Sequence, residues 1–175
     1  MTFEDYCLAE CSARFTQPIS PAQRIFMDSV ALVVEGGGQV EVPSLPRGCG
    51  TTTILQAAAC FAVKVHKEPF VVLVGSNRMW NIMPSMAERL GLGGSSYRRC
   101  GRTCWVQLNH GDRYSSVLLV CSQKDSLRGL SHKINGSYER PSLVIVDGHT
   151  PLSARERKHF KLLASKAFIS DPLNV

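Results

Sequence analysis

Eight consecutive residues, Pro46-Arg47-Gly48-Cys49-Gly50-Thr51-Thr52-Thr53, combine two glycines with three hydroxyls. Glycines let a loop turn tightly and aim its N–H groups at an anion, and Thr52 stands where a hydroxyl meets phosphate-bound Mg²⁺. The segment reads as a phosphate loop without its lysine. Thr51 holds the position that G-x-x-x-x-G-K-[ST] gives to Lys, and Leu45 replaces the first glycine of that pattern. The competing reading is an ordinary glycine turn capped by threonine. Far downstream, Leu143-Val-Ile-Val-Asp147 is an apolar run ending in a carboxylate. It describes a buried strand that delivers Asp147 at its C-terminal end, where open parallel sheets bind ligands. A carboxylate there can hold Mg²⁺ through water; standing alone, it would read as a cap for the next turn or helix.

These residues need a scaffold, and the apolar pattern supplies one. Val40, Val42 and Leu45 mark a strand over Gln39 to Ser44, and the Ala-rich run after the loop predicts a helix from Thr51 to His66. Phe70 to Gly75 is a continuous β-branched run of the kind found in buried parallel strands. Cys104 to Leu108 and Ser115 to Cys121 read as a hairpin around Asn109-His-Gly-Asp-Arg113. Helices are expected from Met1 to Phe15, from Pro21 to Glu35 behind a Ser20 cap, and from Ser153 to Ser165. Another is expected through Met79, Ile82, Met83, Met86 and Leu90, capped by Ser76 or Asn77, and a short last strand from Ala167 to Ser170. Together these predict an α/β fold with a mainly parallel sheet and helices on both faces. Its central strands would be Gln39 to Ser44, Phe70 to Gly75, Val117 to Cys121 and Leu143 to Asp147. One globular domain is expected, with residues 1–38 as a helical segment packed on a core of residues 39–175.

An apolar fraction of 44% with 19% charged residues is that of a globular chain with a real core. No apolar run approaches the roughly 20 residues that span a bilayer, and the first residues are acidic and polar, so a cytoplasmic protein without a membrane partner is expected. The net charge of +6 favours acidic partners, nucleic acid or nucleotide phosphate first. Its clusters are Arg98, Arg99 and Arg102, then Arg155, Arg157, Lys158, Lys161 and Lys166, with Arg128 between them. Either cluster is equally read as a solvated face, because a small soluble protein needs surface charge. Seven cysteines in no disulfide-like spacing suit reduced thiols. Cys7 and Cys11, and Cys100 and Cys104, are spaced like zinc ligands, with His110, Cys121 and His132 available to the second pair. Without a second pair at finger-like spacing, a structural zinc site is not expected.

The succession Leu45-Pro-Arg-Gly-Cys-Gly-Thr-Thr-Thr53, Val71-Val-Leu-Val-Gly75, Leu127-Arg-Gly-Leu130 and Arg140-Pro-Ser-Leu-Val-Ile-Val-Asp147 resembles the ATPase domain of bacteriophage terminase large subunits. The resemblance runs from Val40 to Asp171. It implies a P-loop NTPase-like fold in which Arg47, Gly48, Cys49, Gly50, Thr51, Thr52 and Thr53 meet a nucleotide. Thr52 and Asp147 would hold Mg²⁺, and Asp147 would be catalytic if the site is active. It also implies ATP as cofactor, viral packaging proteins or nucleic acid as partners, a homo-oligomer, and the cytoplasm of an infected host cell. The basic residues Arg98, Arg99, Arg102, Arg128, Arg155, Arg157, Lys158 and Lys161 would form the partner surface.

Three departures bear on function. Thr51 stands for the family's lysine, Gly148 stands for its catalytic base, and no nuclease domain follows within these residues. The expectation is therefore a degenerate, non-hydrolysing member that acts by binding nucleic acid or partner proteins. The alternative is an ATPase in which Arg47 replaces the lysine, with His149 or Glu139 as the only candidates for the base.

Overall fold

The computed structural model describes residues 1–172 except 13, 14, 16, 17, 77, 78, 95, 102 and 124–126. Arg102, and Asn77 as a helix cap, therefore lie outside the described residues. Helices α1 (Phe3–Cys11) and α2 (Pro21–Gly36) lead into strand β1 (Gln39–Pro43), helix α3 (Thr51–Lys64) and strand β2 (Phe70–Gly75). A short 3₁₀ turn (Met79–Ile82) and α4 (Met83–Arg89) precede β3 (Arg98–Cys100), β4 (Thr103–Asn109) and β5 (Ser115–Ser122). The chain ends through β6 (His132–Ile134), β7 (Ser137–Glu139), β8 (Leu143–Asp147), α5 (Ala154–Leu163) and β9 (Lys166–Asp171).

Seven strands form one sheet in the order β1-β9-β8-β2-β5-β4-β3, and β6 and β7 form a separate hairpin. The first five in that order run parallel, while β4 and β3 add antiparallel beyond β5. Side chains alternate strictly across the sheet. Val71, Leu73, Leu143, Ile145 and Phe168 enter the core under α1 to α4; Phe70, Val72, Val144, Val146 and Ile169 enter the core under α5 and the β6–β7 hairpin. The expected α/β architecture, with a mainly parallel sheet and helices on both faces, is what the chain adopts.

Local chemistry sets where the helices start. Thr2 with Asp5, Ser20 with Gln23, and Ser153 with Glu156 form reciprocal capping boxes, each satisfying two otherwise orphaned donors at the heads of α1, α2 and α5. The expected helix through Met79 to Leu90 is broken in two. Pro84 lacks an N–H and is tolerated only in a first helical turn, so α4 begins anew at Met83 after the 3₁₀ turn.

Two further differences have physical causes. Strand β1 is an edge strand, although its apolar residues suggested a central one. Its alternate residues Gln39, Glu41 and Pro43 are exposed, whereas β2 is buried at every position. The second is the β6–β7 hairpin, whose turn signal lay in Asn135-Gly136. Both residues take positive φ, 53° and 86°, as a two-residue hairpin turn requires. Among the described residues no helix is long and apolar enough to cross a membrane.

The cysteines behave as small apolar residues. Cys7, Cys11, Cys60, Cys104 and Cys121 are buried, and no disulfide joins the described cysteines. The Cys7 thiol is pushed up by its hydrogen-bonding contact with Cys11, 3.8 Å away, and by burial; burial likewise pushes up Cys60. No group of three or more His, Cys, Asp or Glu among the described residues could hold a metal ion.

Leu73 is fully buried in the central strand, whereas Leu162 on α5 is 75% exposed. Leu73→Ala should therefore cost about 2–5 kcal/mol in urea denaturation, and Leu162→Ala no more than about 0.5 kcal/mol.

Candidate functional site

The loop between β1 and α3 is built by glycine. Cys49 donates its N–H to the Pro46 carbonyl at 3.0 Å, closing a β-turn with Gly48 at φ 81°. Gly50 is left-handed at φ 89°, ψ 15°, and starts α3 without a side-chain cap. A Cβ on Gly50 would lie 2.7 Å from the Phe15 ring, so both backbone and packing demand glycine. Gln23 of α2 donates to the Cys49 carbonyl at 2.9 Å, tying the loop to the helix behind it.

The first intrahelical bond of α3 runs from the Ile54 N–H to the Gly50 carbonyl at 2.9 Å. The N–H groups of Gly50, Thr51, Thr52 and Thr53 consequently have no acceptor within the helix, and they carry the positive end of its dipole. Thr51 has a structural task in the loop. Its hydroxyl accepts the Leu45 N–H at 3.1 Å and so turns back into the loop. Arg47 is exposed and has no partner among the described residues.

Asp147 meets this loop directly. Alternation along β8 turns its side chain to the α3 face, where the Thr52 hydroxyl donates to its carboxylate at 2.7 Å. The loop and Asp147, expected side by side at the carboxyl edge of the sheet, are brought together there. Two serines that the sequence reading took only as strand ends continue the row. Ser170 stands opposite Asp147 in the β8–β9 register, and its hydroxyl is 2.7 Å from that of Ser44, just after β1. Their only sequence signal was position, Ser44 just after β1 and Ser170 next to the last residue of β9. Burial pushes the Asp147 carboxyl above the ordinary carboxylate range, against the opposing effects of the Thr52 hydrogen bond and of nearby His149.

Position 148 has no room for a side chain. A Cβ there would lie 2.5 Å from the Ser170 carbonyl oxygen and 2.7 Å from Pro172. The Gly148 N–H donates to that same carbonyl at 2.9 Å, so the backbones of β8 and β9 meet where the family pattern places an acid. Of the two candidates for a replacement base, Glu139 lies on β7, on the opposite face of the sheet, where it accepts from the Ser137 hydroxyl. His149 remains beside the site, exposed, on a segment held by the Gln123 side chain, which accepts the His149 N–H at 3.2 Å and donates to Thr150.

The basic residues divide. Arg157 bonds Asp171 at 2.5 Å and Glu41 at 3.2 Å, Lys161 bonds Glu41 at 2.9 Å, and Lys166 pairs with Glu68, so these charges fasten α5 and β9 to their neighbours. Arg155 and Lys158 are exposed on α5. Arg98 and Arg99 are adjacent in β3 and therefore emerge on opposite faces. Arg128 is exposed in the turn before β6. Helix α5 packs on β8 and β9, four and five strand steps from β3, roughly 19–24 Å across the sheet, so the two expected clusters lie apart. Two clefts, of 480 and 540 Å³, run between β1 and α5 on the face away from α3, around Glu41 and Arg157, and do not include the loop.

A carboxyl whose folded pKa is raised binds more protons in the native than in the unfolded state, so its ionisation lowers stability as pH rises above the ordinary carboxylate value. Asp147→Asn removes that cost. It should raise the melting temperature at neutral pH and leave it unchanged in acid below the carboxylate range, in thermal melts across pH. Gly148→Ala should destabilise by about 1–3 kcal/mol through overpacking, with Gly148→Glu worse, in urea denaturation. Comparison with protein-family models, with curated proteins and with solved structures finds no match to this chain.

Proposed function

We propose that this chain is a degenerate phosphate-loop NTPase domain, similar to the terminase ATPase, that holds a nucleotide's phosphates weakly, does not turn it over rapidly, and acts by association. The observation that carries the reading is the 2.7 Å hydrogen bond from Thr52, at the head of α3, to Asp147, at the end of β8. It joins an uncapped helix N-terminus to a carboxylate at the carboxyl edge of a parallel sheet, the arrangement an anion with its counter-cation requires. The strand order supports it too. From β8 the chain passes to β9 on one side, and from β2 to its parallel neighbour β5 on the other, so the order of the strands reverses between β8 and β2, beside Asp147.

With a Mg²⁺–nucleotide, the Thr52 hydroxyl and the Asp147 carboxylate supply the oxygens that would hold the ion, which would offset charge on the phosphates. The first-turn N–H groups of α3 would meet the phosphate oxygens. Turnover asks for more. Thr51 brings no charge to a transferring phosphoryl group, and Gly148 offers nothing to orient water. Each loss removes on the order of several kcal/mol of transition-state stabilisation, at roughly tenfold per 1.4 kcal/mol.

A second reading, an ATPase in which Arg47 stands for the lysine, draws on the exposed and unpaired guanidinium in the loop. Calorimetric titration with ATP, with and without Mg²⁺, beside a phosphate-release assay, separates the two. The expected result is weak binding, its loss in Arg47→Ala, and negligible hydrolysis. Thr51→Lys should tighten binding without starting hydrolysis, despite losing about 1 kcal/mol with the Leu45 hydrogen bond. Wild-type turnover at a rate typical of motor ATPases would overturn the non-hydrolysing reading, and absence of any nucleotide binding would overturn both.

A further inference from the structure

On the face away from α3, the β6–β7 hairpin lies over the sheet. We propose that the outer surface of this hairpin, with Tyr138, Lys133, Arg128 and the neighbouring Arg98, binds single-stranded nucleic acid: Tyr138 stacks on a base and the cations meet the phosphates. The proposal deepens the association reading above and uses none of the loop residues.

The hairpin is held firmly. Asn135 at its turn accepts the Ser115 N–H at 2.7 Å and donates to the Ser115 carbonyl at 3.1 Å. Ile134 is buried, and the His132 ring packs 4.5 Å from Trp105 and 5.8 Å from Phe70, centre to centre. With His132 and Ile134 turned inward, alternation turns Lys133 outward, directly opposite Tyr138 in the ladder. Tyr138 is 76% exposed. A large ring on a pinned strand, contributing little to the core, gives a stacking surface with little ordering left to lose on binding.

Lys133 faces it across the ladder, and two more cations lie on neighbouring elements. Arg98 stands opposite Trp105 in the β3–β4 pair, so its side chain emerges on the hairpin's face of the sheet, beside the Trp105–His132 contact. Arg128 sits on a turn closed by the Leu130 N–H to the Leu127 carbonyl at 3.1 Å, with Leu127 buried in the same apolar layer. Unlike Arg157, Lys161 and Lys166, none of Arg98, Arg128 and Lys133 is in an ion pair among the described residues. The strands of the hairpin are three residues each, about 10 Å, and lie on the sheet, too short a ribbon to enter a duplex groove. Unpaired bases offer the π-face that an exposed tyrosine can use; stacked duplex bases do not.

The test is fluorescence anisotropy with labelled oligo(dT), oligo(rU) and a mixed-sequence DNA duplex, over rising salt and without nucleotide. Binding of either single strand is expected, with Tyr138→Ala weakening it about tenfold and Tyr138→Phe retaining it. Lys133→Ala and Arg128→Ala should each flatten the slope of log K against log salt by about 0.7. Lys64→Ala, on the opposite face, should change neither. A preference for oligo(rU) or for oligo(dT) supports the proposal and identifies RNA or DNA as its source. Tighter binding to duplex, no binding to any strand, or wild-type affinity in Tyr138→Ala overturns it. Failure of the loop to bind nucleotide would leave these results unaltered, so the two readings fail separately.

Discussion

Strand β2 is buried on both faces along its whole length, and much of the molecule follows from that constraint. A strand apolar on every side chain needs a cover above and a cover below, and parallel neighbours to satisfy its backbone. Its neighbours β8 and β5 run parallel to it, so the connections must cross over through other elements. Those elements supply the covers: α3 on one face, α5 and the β6–β7 hairpin on the other. With all five parallel strands pointing the same way, their carboxyl ends lie together. The loop before α3 and Asp147 are neighbours for that reason, despite their distance in the chain.

At that edge the molecule accepts a cost. Asp147 is a partly buried carboxylate whose charge is opposed by burial and supported mainly by one threonine hydroxyl, with no cation bonded to it among the described residues. Such an arrangement is poor for stability and suits a group that meets a cation. Thr51 and Gly148 show the opposite tendency. The first turns its hydroxyl into the loop, and the second lets two backbones touch. At this edge Thr52 and Asp147 meet through their side chains, while positions 51 and 148 are taken up by the packing of the loop and of β9.

Much of this was legible because it rested on local rules. Ser20 and the apolar runs of β2 and β8 announced their elements through capping and period. Asp147 was found because a strand that ends in an acid points to an edge whatever the rest of the fold. What stayed hidden depended on distant chain. Nothing near Gly148 reveals that the end of β9 fills its side-chain space, and nothing near Arg157 or Lys161 reveals that Glu41 and Asp171 lie opposite. Strand alternation sends Arg98 and Arg99 to opposite faces, and pairing sets Trp105 beside Arg98; reading them as one basic cluster missed both. Pro84 and Asn135-Gly136 were local signals, and reading through them obscured a helix break and a hairpin.

The open side of β1 carries one more consequence. The Ala167 N–H bonds the Gly38 carbonyl and the Ser44 N–H bonds the Asp171 carbonyl, so the alternation turns the main chain of Gln39, Glu41 and Pro43 away from β9. Proline has no N–H to offer, which leaves only two outward donors on this strand. The sheet thus ends in a border that a stray strand can grip over barely one hydrogen-bonded repeat. Protection from end-to-end growth into fibrils is in this way written into the residue that also brings the chain toward its loop.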